Sequence, residues 1–386
     1  MVGYLTHDLI LHIIIFQAFV LLVILSNIWY LHQARKHDAP PDFPMVSILV
    51  PARNEEKNIA SCIRSLLAQD YPAFEVIVYD DQSTDATRSI LEQIAHEEPE
   101  LKFTVGSALP EGRLGKNWAC AQLARQAKGD LLFFTDADTI HRPHALRSIV
   151  TALTGEQADL LTGFPRQEVH SWGERLLVPF FSWALYCFNP LVLAYRLRLP
   201  ALSSAVGQMM LFRREAYQEI GGHEGLASSI IDDLLLARRI KAAGLRWRLI
   251  NITDLITCRM YPGSCEAFRG FSKNLFAAFS FHLLIYLFTF LWLAVMFWLP
   301  LIILVLSATG HAPLARVDEL AICIGLSLLV WLIPYLDLDI PFYLAGLYPL
   351  NLALIEIVAL QSLRLSLTGR LTWKDRTLSK TRLKWF

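Results

Sequence analysis

Two aspartates one residue apart, Asp136 and Asp138, close the segment Gly-Asp-Leu-Leu-Phe-Phe-Thr-Asp-Ala-Asp that begins at Gly129. The apolar run 131–134 reads as a short buried strand. A strand that ends in two carboxylates delivers them to its C-terminal edge, where open α/β sheets bind ligands. Carboxylates at that spacing can share one hard divalent cation, Mg2+ or Mn2+, because such ions prefer oxygen ligands. The same residues also suit a polar turn, where Asp is frequent.

Four further clusters carry chemistry. Pro51-Ala52-Arg53-Asn54-Glu55-Glu56 follows an apolar strand at 46–50 and opens a helix, a place where backbone N–H groups attract anions. Asn54 could equally be an N-cap with Glu beside it, although capping does not account for Arg53. Asp80-Asp81-Gln82-Ser83-Thr84-Asp85 follows a second strand at 75–79, and its carboxylates could accept bonds from ribose hydroxyls or a uracil N–H; Ser83 and Thr84 are also natural caps. Gly112-Arg113-Leu114-Gly115-Lys116-Asn117-Trp118 lacks the spacing of a Walker loop, yet a cationic loop beside a metal site suits a diphosphate; a solvated surface loop is the alternative. Asp232-Asp233 begins a helix over 232–243, where Asp serves as a cap or as a fixed general base. The glycine-marked turns at Gly207-Gln208 and Gly221-Gly222-His223 could line an acceptor pocket, with His223 read as a loop histidine.

Strands at 46–50, 75–79, 101–105 and 131–135 alternate with helices at 56–69, 83–95, 117–127 and 143–153. That order predicts a mostly parallel sheet with helices on both faces. A further strand is expected at 204–211. The 386 residues are 54% hydrophobic and only 18% charged, with a mean hydropathy of +0.39. The excess sits at 9–31 and again beyond residue 282, which predicts a transmembrane helix at 9–31 and spans at 282–306, 320–336 and 342–365. His32, Arg35, Lys36 and His37 after the first span favour a cytoplasmic middle. The basic tail (Arg370, Lys374, Arg376, Lys380, Arg382, Lys384) should stay on that same side, which four crossings would forbid. A re-entrant late segment near Pro334, Asp337, Asp339 and Pro341 would remove the conflict. The stretch 172–199, apolar but broken by Pro179 and Pro190, is read as a helix pair at the membrane surface, with 268–281 a second such helix. The expected organisation is a span and basic flank (1–37), a cytoplasmic domain with interfacial helices (38–281), C-terminal spans (282–368) and a basic tail (369–386). Formal net charge is zero, which gives no electrostatic footprint for nucleic acid. Six scattered cysteines form no zinc or disulfide pattern.

Pro51-Ala-Arg-Asn-Glu-Glu56, Asp80-Asp81-x-Ser-x-Asp85, Gly115-Lys116, Asp136-x-Asp138 and Asp232-Asp233, in this order, resemble the motifs of membrane-bound family 2 glycosyltransferases. The likeness runs from about residue 46 to 249. With the flanking spans and Thr372-Trp373-Lys374-Asp375-Arg376, the chain is similar to bacterial carotenoid- and hopanoid-associated members and, more distantly, to ceramide glucosyltransferase. The resemblance implies a type A glycosyltransferase fold. It implies that Pro51, Arg53, Glu55 and Asp81 hold the uridine end of a nucleotide sugar, that Lys116 and Asp136 lie near its phosphates, and that Asp136 and Asp138 bind Mg2+ or Mn2+. Asp233 matches the second position of the family's Glu-Asp base motif, with Asp232 in place of Glu. The Gln/Arg-x-x-Arg-Trp motif of processive members is missing; Arg269-Gly-Phe-Ser-Lys273-Asn274 is the nearest match. The implied activity is inverting transfer of one sugar, glucose, from a UDP-sugar to a lipid hydroxyl at the inner membrane. A hydroxylated carotenoid is the first choice of acceptor. Hopanoid, sphingolipid or glycerol lipid acceptors, or a processive polysaccharide synthase, are the alternatives.

Overall fold

The computed structural model describes residues 2–226, 229–309, 315–369, 372–373, 376–377 and 384–385. Helix α1 (Val2–Gln33) comes first. An alternating region follows: β1 (Val46–Ala52), α2 (Ile59–Leu67), β2 (Phe74–Asp80), α3 (Thr87–Glu97), β3 (Leu101–Val105), α4 (Gly115–Gln126), β4 (Leu131–Phe134), β5 (Thr139–His141), α5 (Ala145–Gly155), β6 (Leu160–Phe164) and β7 (Arg166–Gln167). Next are α6 (Trp172–Phe188), α7 (Leu191–Arg196), β8 (Met210–Arg213), α8 (Arg214–Glu219), α9 (Asp232–Ala242), β9 (Trp247–Asn251), β10 (Ile256–Cys258) and α10 (Ser264–Ala278). Three long apolar helices come last: α11 (Leu283–Ala308), α12 (Val317–Asp337) and α13 (Tyr348–Thr368).

Seven strands form one sheet in the order β3-β2-β1-β4-β8-β6-β9, in which β8 alone runs antiparallel to its neighbours. The C-terminal ends of β1, β2, β4 and β6 therefore share one edge, and the chain enters β8 at that same edge. β5, β10 and β7 make a small second sheet beyond it. β1 is buried along nearly its whole length, which is why it reads as an apolar run rather than an alternation. One face of the sheet is covered by a core that includes Ile59, Ile63 and Leu66 of α2 and Leu146 and Ile149 of α5. The core on the other face, through Leu49, Phe134 and Phe212, is continuous with α1, α6, α10, α11, α12 and α13. The sheet and the apolar helices are one packed body.

Two boundaries fall later than the sequence pattern predicts, for one reason. The loops after β1 and β2 brace each other. Asn54 Oδ1 accepts the Thr84 N–H at 2.8 Å, and Ser83 Oγ accepts the Asn54 N–H at 2.9 Å. Asp85 Oδ2 accepts the Glu56 N–H and Glu56 Oε2 the Ala86 N–H, each at 3.1 Å. These bonds hold residues 54–56 and 84–86 in the facing loops, and α2 begins at Ile59 and α3 at Thr87. Asn54, at φ +51°, is a cross-loop brace and not the cap of its own helix. The expected strand at 204–211 is a second correction: β8 covers only Met210–Arg213. Upstream, Thr162 Oγ1 accepts the Val206 N–H at 2.9 Å and Thr135 Oγ1 donates to the Gln208 carbonyl at 2.8 Å. Side chains take the place of ladder partners, and the segment bends away from the sheet.

Four helical segments are long and apolar enough to cross a membrane: Thr6–Gln33, Leu283–Ala308, Val317–Asp337 and Phe342–Thr368. α1 and α12 run side by side in the same direction, because His7 Nδ1 meets Glu319 Oε2 at 3.0 Å at one end and His32 Nε2 meets Asp337 Oδ1 at 2.6 Å at the other. The Asp337 end is also the sheet end, since Asn251 Nδ2 at the close of β9 donates to the Asp337 carbonyl at 2.7 Å. α13 lies differently. Its Asn351 donates to the Leu176 carbonyl of α6, its Ala359 carbonyl accepts the Tyr286 hydroxyl at 2.8 Å, and Ser362 Oγ accepts the Phe276 N–H of α10 at 3.0 Å. α6 is packed against α1, α10, α12 and α13, with Trp183 stacked 3.9 Å from Trp331. Of the basic tail, Arg370, Lys374, Lys380 and Arg382 lie outside the described residues. Lys384 pairs through its backbone with Phe281 and Leu283, at the start of α11.

Candidate active site

All nine residues singled out by chemistry line one cavity of about 450 Å3 at the common strand edge: Pro51, Arg53, Glu55, Asp81, Lys116, Asp136, Asp138, Asp232 and Asp233. Parallel strands put the first four there directly, by ending β1 and β2 side by side. Arg53 donates to the Asp81 carbonyl and stands 3.9 Å from its Oδ2, while the Asp81 N–H donates to the Ala52 carbonyl at 2.8 Å. Asp80, by contrast, turns one carboxylate oxygen to its own turn, where Oδ1 accepts the N–H and the hydroxyl of Ser83, while Oδ2 is buried without a hydrogen-bond partner.

Lys116 sits in the first turn of α4, and its Nζ lies 2.7 Å from Asp136 Oδ1. Burial opposes the lysine's charge, but Asp136 and Asp232 outweigh it and hold the ammonium protonated. Arg113, the other cation of that loop, turns away: it donates to the Glu224 carbonyl at 3.0 Å and lies over the Trp118 ring. Asp138 Oδ1 is buried without a hydrogen-bond partner. Burial, with Asp136 and Glu55 nearby, pushes the Asp138 carboxyl up to about 7. A buried orphan oxygen beside a second carboxylate fits a divalent cation, which would relieve that repulsion. Among the described residues no group of three or more His, Cys, Asp or Glu could hold a metal ion. Two carboxylates alone fill only part of the coordination sphere of Mg2+ or Mn2+.

Asp232 and Asp233 open α9 across the cavity. A Cβ at Gly207 would stand 3.3 Å from Lys116 Nζ, 3.5 Å from Asp233 Oδ2 and 3.7 Å from Asp136 Oδ2. Those three charged groups thus converge on one small space, kept open by the absence of a side chain at Gly207. Asp233 Oδ1 accepts the Leu234 N–H at 2.7 Å, which leaves Oδ2 for another partner. Burial and the adjacent Asp232 raise the Asp233 carboxyl to about 7. Burial acts in the same direction on Asp232, but Lys116 and His223 overcome it and hold that carboxyl below its ordinary value.

Sequence reasoning gave no site role to Tyr261, Lys273 and Asn274, which also line the cavity, and it read the stretches that supply the apolar wall, Val178, Phe181 and Leu185 from α6 and Phe271 from α10, only as membrane-surface helices. One signal was present: Phe271, Asn274 and Ala278 follow an i, i+3, i+7 helical spacing.

Residues 47–221 match the family described as glycosyl transferase family 2. The chain is 26% identical over 233 residues to 4,4'-diaponeurosporenoate glycosyltransferase of Staphylococcus haemolyticus, covering 60% of each protein. It is 34% identical over 131 residues to beta-monoglucosyldiacylglycerol synthase of Synechocystis, covering 31% of this chain and 27% of that protein. The matches thus span 60% or less of these relatives' own lengths. Among solved structures, the mannosyltransferase PcManGT from Pyrobaculum calidifontis in complex with GDP-Man and Mn2+ shares the fold, with a TM-score of 0.58 and 22% identity over 92% of this chain and 99% of that one. The chain carries a glycosyl transferase family 2 domain.

Proposed function

We propose that the chain moves one sugar, glucose in the first instance, from a UDP-sugar to a hydroxyl of a membrane lipid, with inversion at the anomeric carbon. A hydroxylated carotenoid is the preferred acceptor. The observation that carries this reading is the convergence of Lys116, Asp136 and Asp233 around Gly207. A cation suited to a phosphate and a carboxylate suited to a base within 4 Å of one point support a reacting carbon in that space. Relatives named for a carotenoid acid and for a diacylglycerol support a lipid acceptor.

Pro51, Arg53, Glu55 and Asp81 bind the uridine, and Lys116 faces the diphosphate. Asp136 and Asp138 would hold Mg2+ or Mn2+, which when bound supplies positive charge to the departing nucleoside diphosphate. The acceptor oxygen forms its bond to the anomeric carbon as the bond from that carbon to the diphosphate oxygen breaks. The electron pair leaves with the diphosphate, and Asp233 takes the hydroxyl proton. Holding both reactants in line supplies a large share of the rate. Val178, Phe181, Leu185 and Phe271 give the lipid an apolar approach along α6 and α10. Those helices lie at the inner face of the cytoplasmic membrane, with the sheet on the cytoplasmic side.

Membranes containing the protein, given labelled UDP-glucose and extracted pigments, should yield labelled lipid. Asp233→Asn should reduce that yield by about 10²-fold or more, the usual scale for loss of a general base, and EDTA should reduce it reversibly. Undiminished transfer by Asp233→Asn removes Asp233 from its role, and full activity without divalent ions rejects the cation.

A further inference from the structure

His223 is buried completely, yet it stands one residue away from the cavity wall and is tied to it. Its backbone N–H donates to Tyr217 Oη at 3.0 Å, and the same Oη lies 2.9 Å from His223 Nδ1. A backbone N–H can only donate, so Oη accepts there, and among the described residues the one acceptor its own proton meets is Nδ1. Nδ1 is then an acceptor, and the ring proton resides on Nε2. That nitrogen is 3.6 Å from Asp232 Oδ2. Both atoms are buried and neither has a hydrogen-bond partner, so each is the natural partner of the other. A gap of this size in a ligand-free site closes with a small rotation of the carboxylate, as such bonds do when substrate binds.

The chain is shaped to make this contact. Gly221 and Gly222 have φ of +75° and +47°, the region that favours glycine, and fold His223 back over Tyr217. A Cβ on Gly222 would lie 2.5 Å from the Tyr217 ring. Phe134, the last residue of β4, packs 4.7 Å from the His223 ring and 5.3 Å from that of Tyr217. The pair is therefore fixed beneath the strand that carries Asp136. Burial lowers the basicity of His223, which keeps the ring neutral and able to donate from Nε2 alone.

We propose that His223, with its tautomer set by Tyr217, is a positioning residue that donates from Nε2 to Asp232 and holds that carboxylate between Lys116 and Asp233. The inference rests on the glycosyl-transfer reading for its kinetic arm. Loss of the donor lets Asp232 turn, so the charge beside Lys116 and Asp233 is no longer fixed. The uridine-binding ends of β1 and β2 are untouched, and Lys116 keeps Asp136 as its partner at 2.7 Å.

The test uses the full chain in lipid nanodiscs. His223→Phe should lower kcat for transfer by about 10- to 100-fold, the usual scale for a group that orients a reacting residue, with donor KM within about twofold of wild type. His223→Gln keeps an amide N–H near the Nε2 position and should recover most of that loss. Tyr217→Phe, which frees the tautomer, should also lower kcat. The idea is overturned if His223→Gln falls as far as His223→Phe, or if the loss appears in donor KM. If His223→Phe does not fold, an unchanged kcat in Tyr217→Phe overturns it. A second arm needs no turnover: 15N-histidine spectra should show His223 as the Nε2–H tautomer, with a resonance that moves in Asp232→Asn. An Nδ1–H tautomer, or no movement, rejects the contact. Wild type that transfers no sugar would refute the functional reading alone, and the spectra would still decide this one.

Discussion

Asp233 accepts a proton only while it is ionised, and its surroundings decide when that is. Burial disfavours the charge and Asp232 repels it, which together raise the carboxyl to about 7. Because the shift is upward, the base is present above that pH and is lost as pH falls through it. We expect kcat/KM to climb about tenfold per unit up to roughly pH 7 and then level off. Asp232→Asn, which removes the repelling charge, should move that limb to lower pH. A profile flat from about pH 5.5 to 8 would exclude Asp233 as the titrating base. At this scale the sequence was informative about the nine cavity residues, because strand ends and adjacent carboxylates are local features. It gave no site role to Tyr261, Lys273 or Asn274. His223 lies in a turn, as a loop histidine should, but its partner Asp232 is nine residues downstream and is reached only through the fold-back at Gly221 and Gly222.

Between elements, polar side chains on apolar helices do the joining. Asn27 of α1 donates to the carbonyls of Tyr186 at 2.8 Å and Asn189 at 2.9 Å and accepts the Leu191 N–H at 3.0 Å. These are the backbone groups freed where α6 stops and α7 starts, so one amide closes the break. Asn27→Ala would leave buried groups unpaired at a cost of roughly 1–3 kcal/mol each. We expect the melting temperature of the purified protein to drop by several degrees, and an unchanged melting temperature would show that water takes over all of these bonds. Such joints mark where sequence patterns fail. The boundaries of α2 and α3 depended on side chains in the opposite loop, and the bend before β8 depended on Thr135 and Thr162. The α/β order itself was plain, because each strand is an apolar run and each helix has an apolar face.

Across the whole molecule, the number of crossings decides where the tail lies. α1 and α12 run in the same direction, and the His32–Asp337 end adjoins the sheet. α11 leaves from the sheet side just after α10, so α11 and α12 together go out and return. α13 then begins near Asp337, and its far half meets Tyr286 and Phe276, both on the sheet side again. Its exposed residues Leu350, Ile357, Leu360 and Leu367 form one apolar face, which suits a helix lying in the lipid boundary. Lys384 beside Phe281 and Leu283 agrees with that path. Three crossings, with α13 returning on the side it started from, satisfy both the four apolar segments and the basic tail. Cysteine labelling with a membrane-impermeant maleimide can separate the two arrangements. Cys265 is exposed and the other five cysteines are buried, so the native chain carries its own marker for the sheet side. A cysteine at Trp385 should react from the same side as Cys265, and one at Thr309 from the opposite side. If the Trp385 and Thr309 positions react together, α13 crosses the bilayer, and the packing of α13 on α6 and α10 must be reached from within the membrane rather than along its surface.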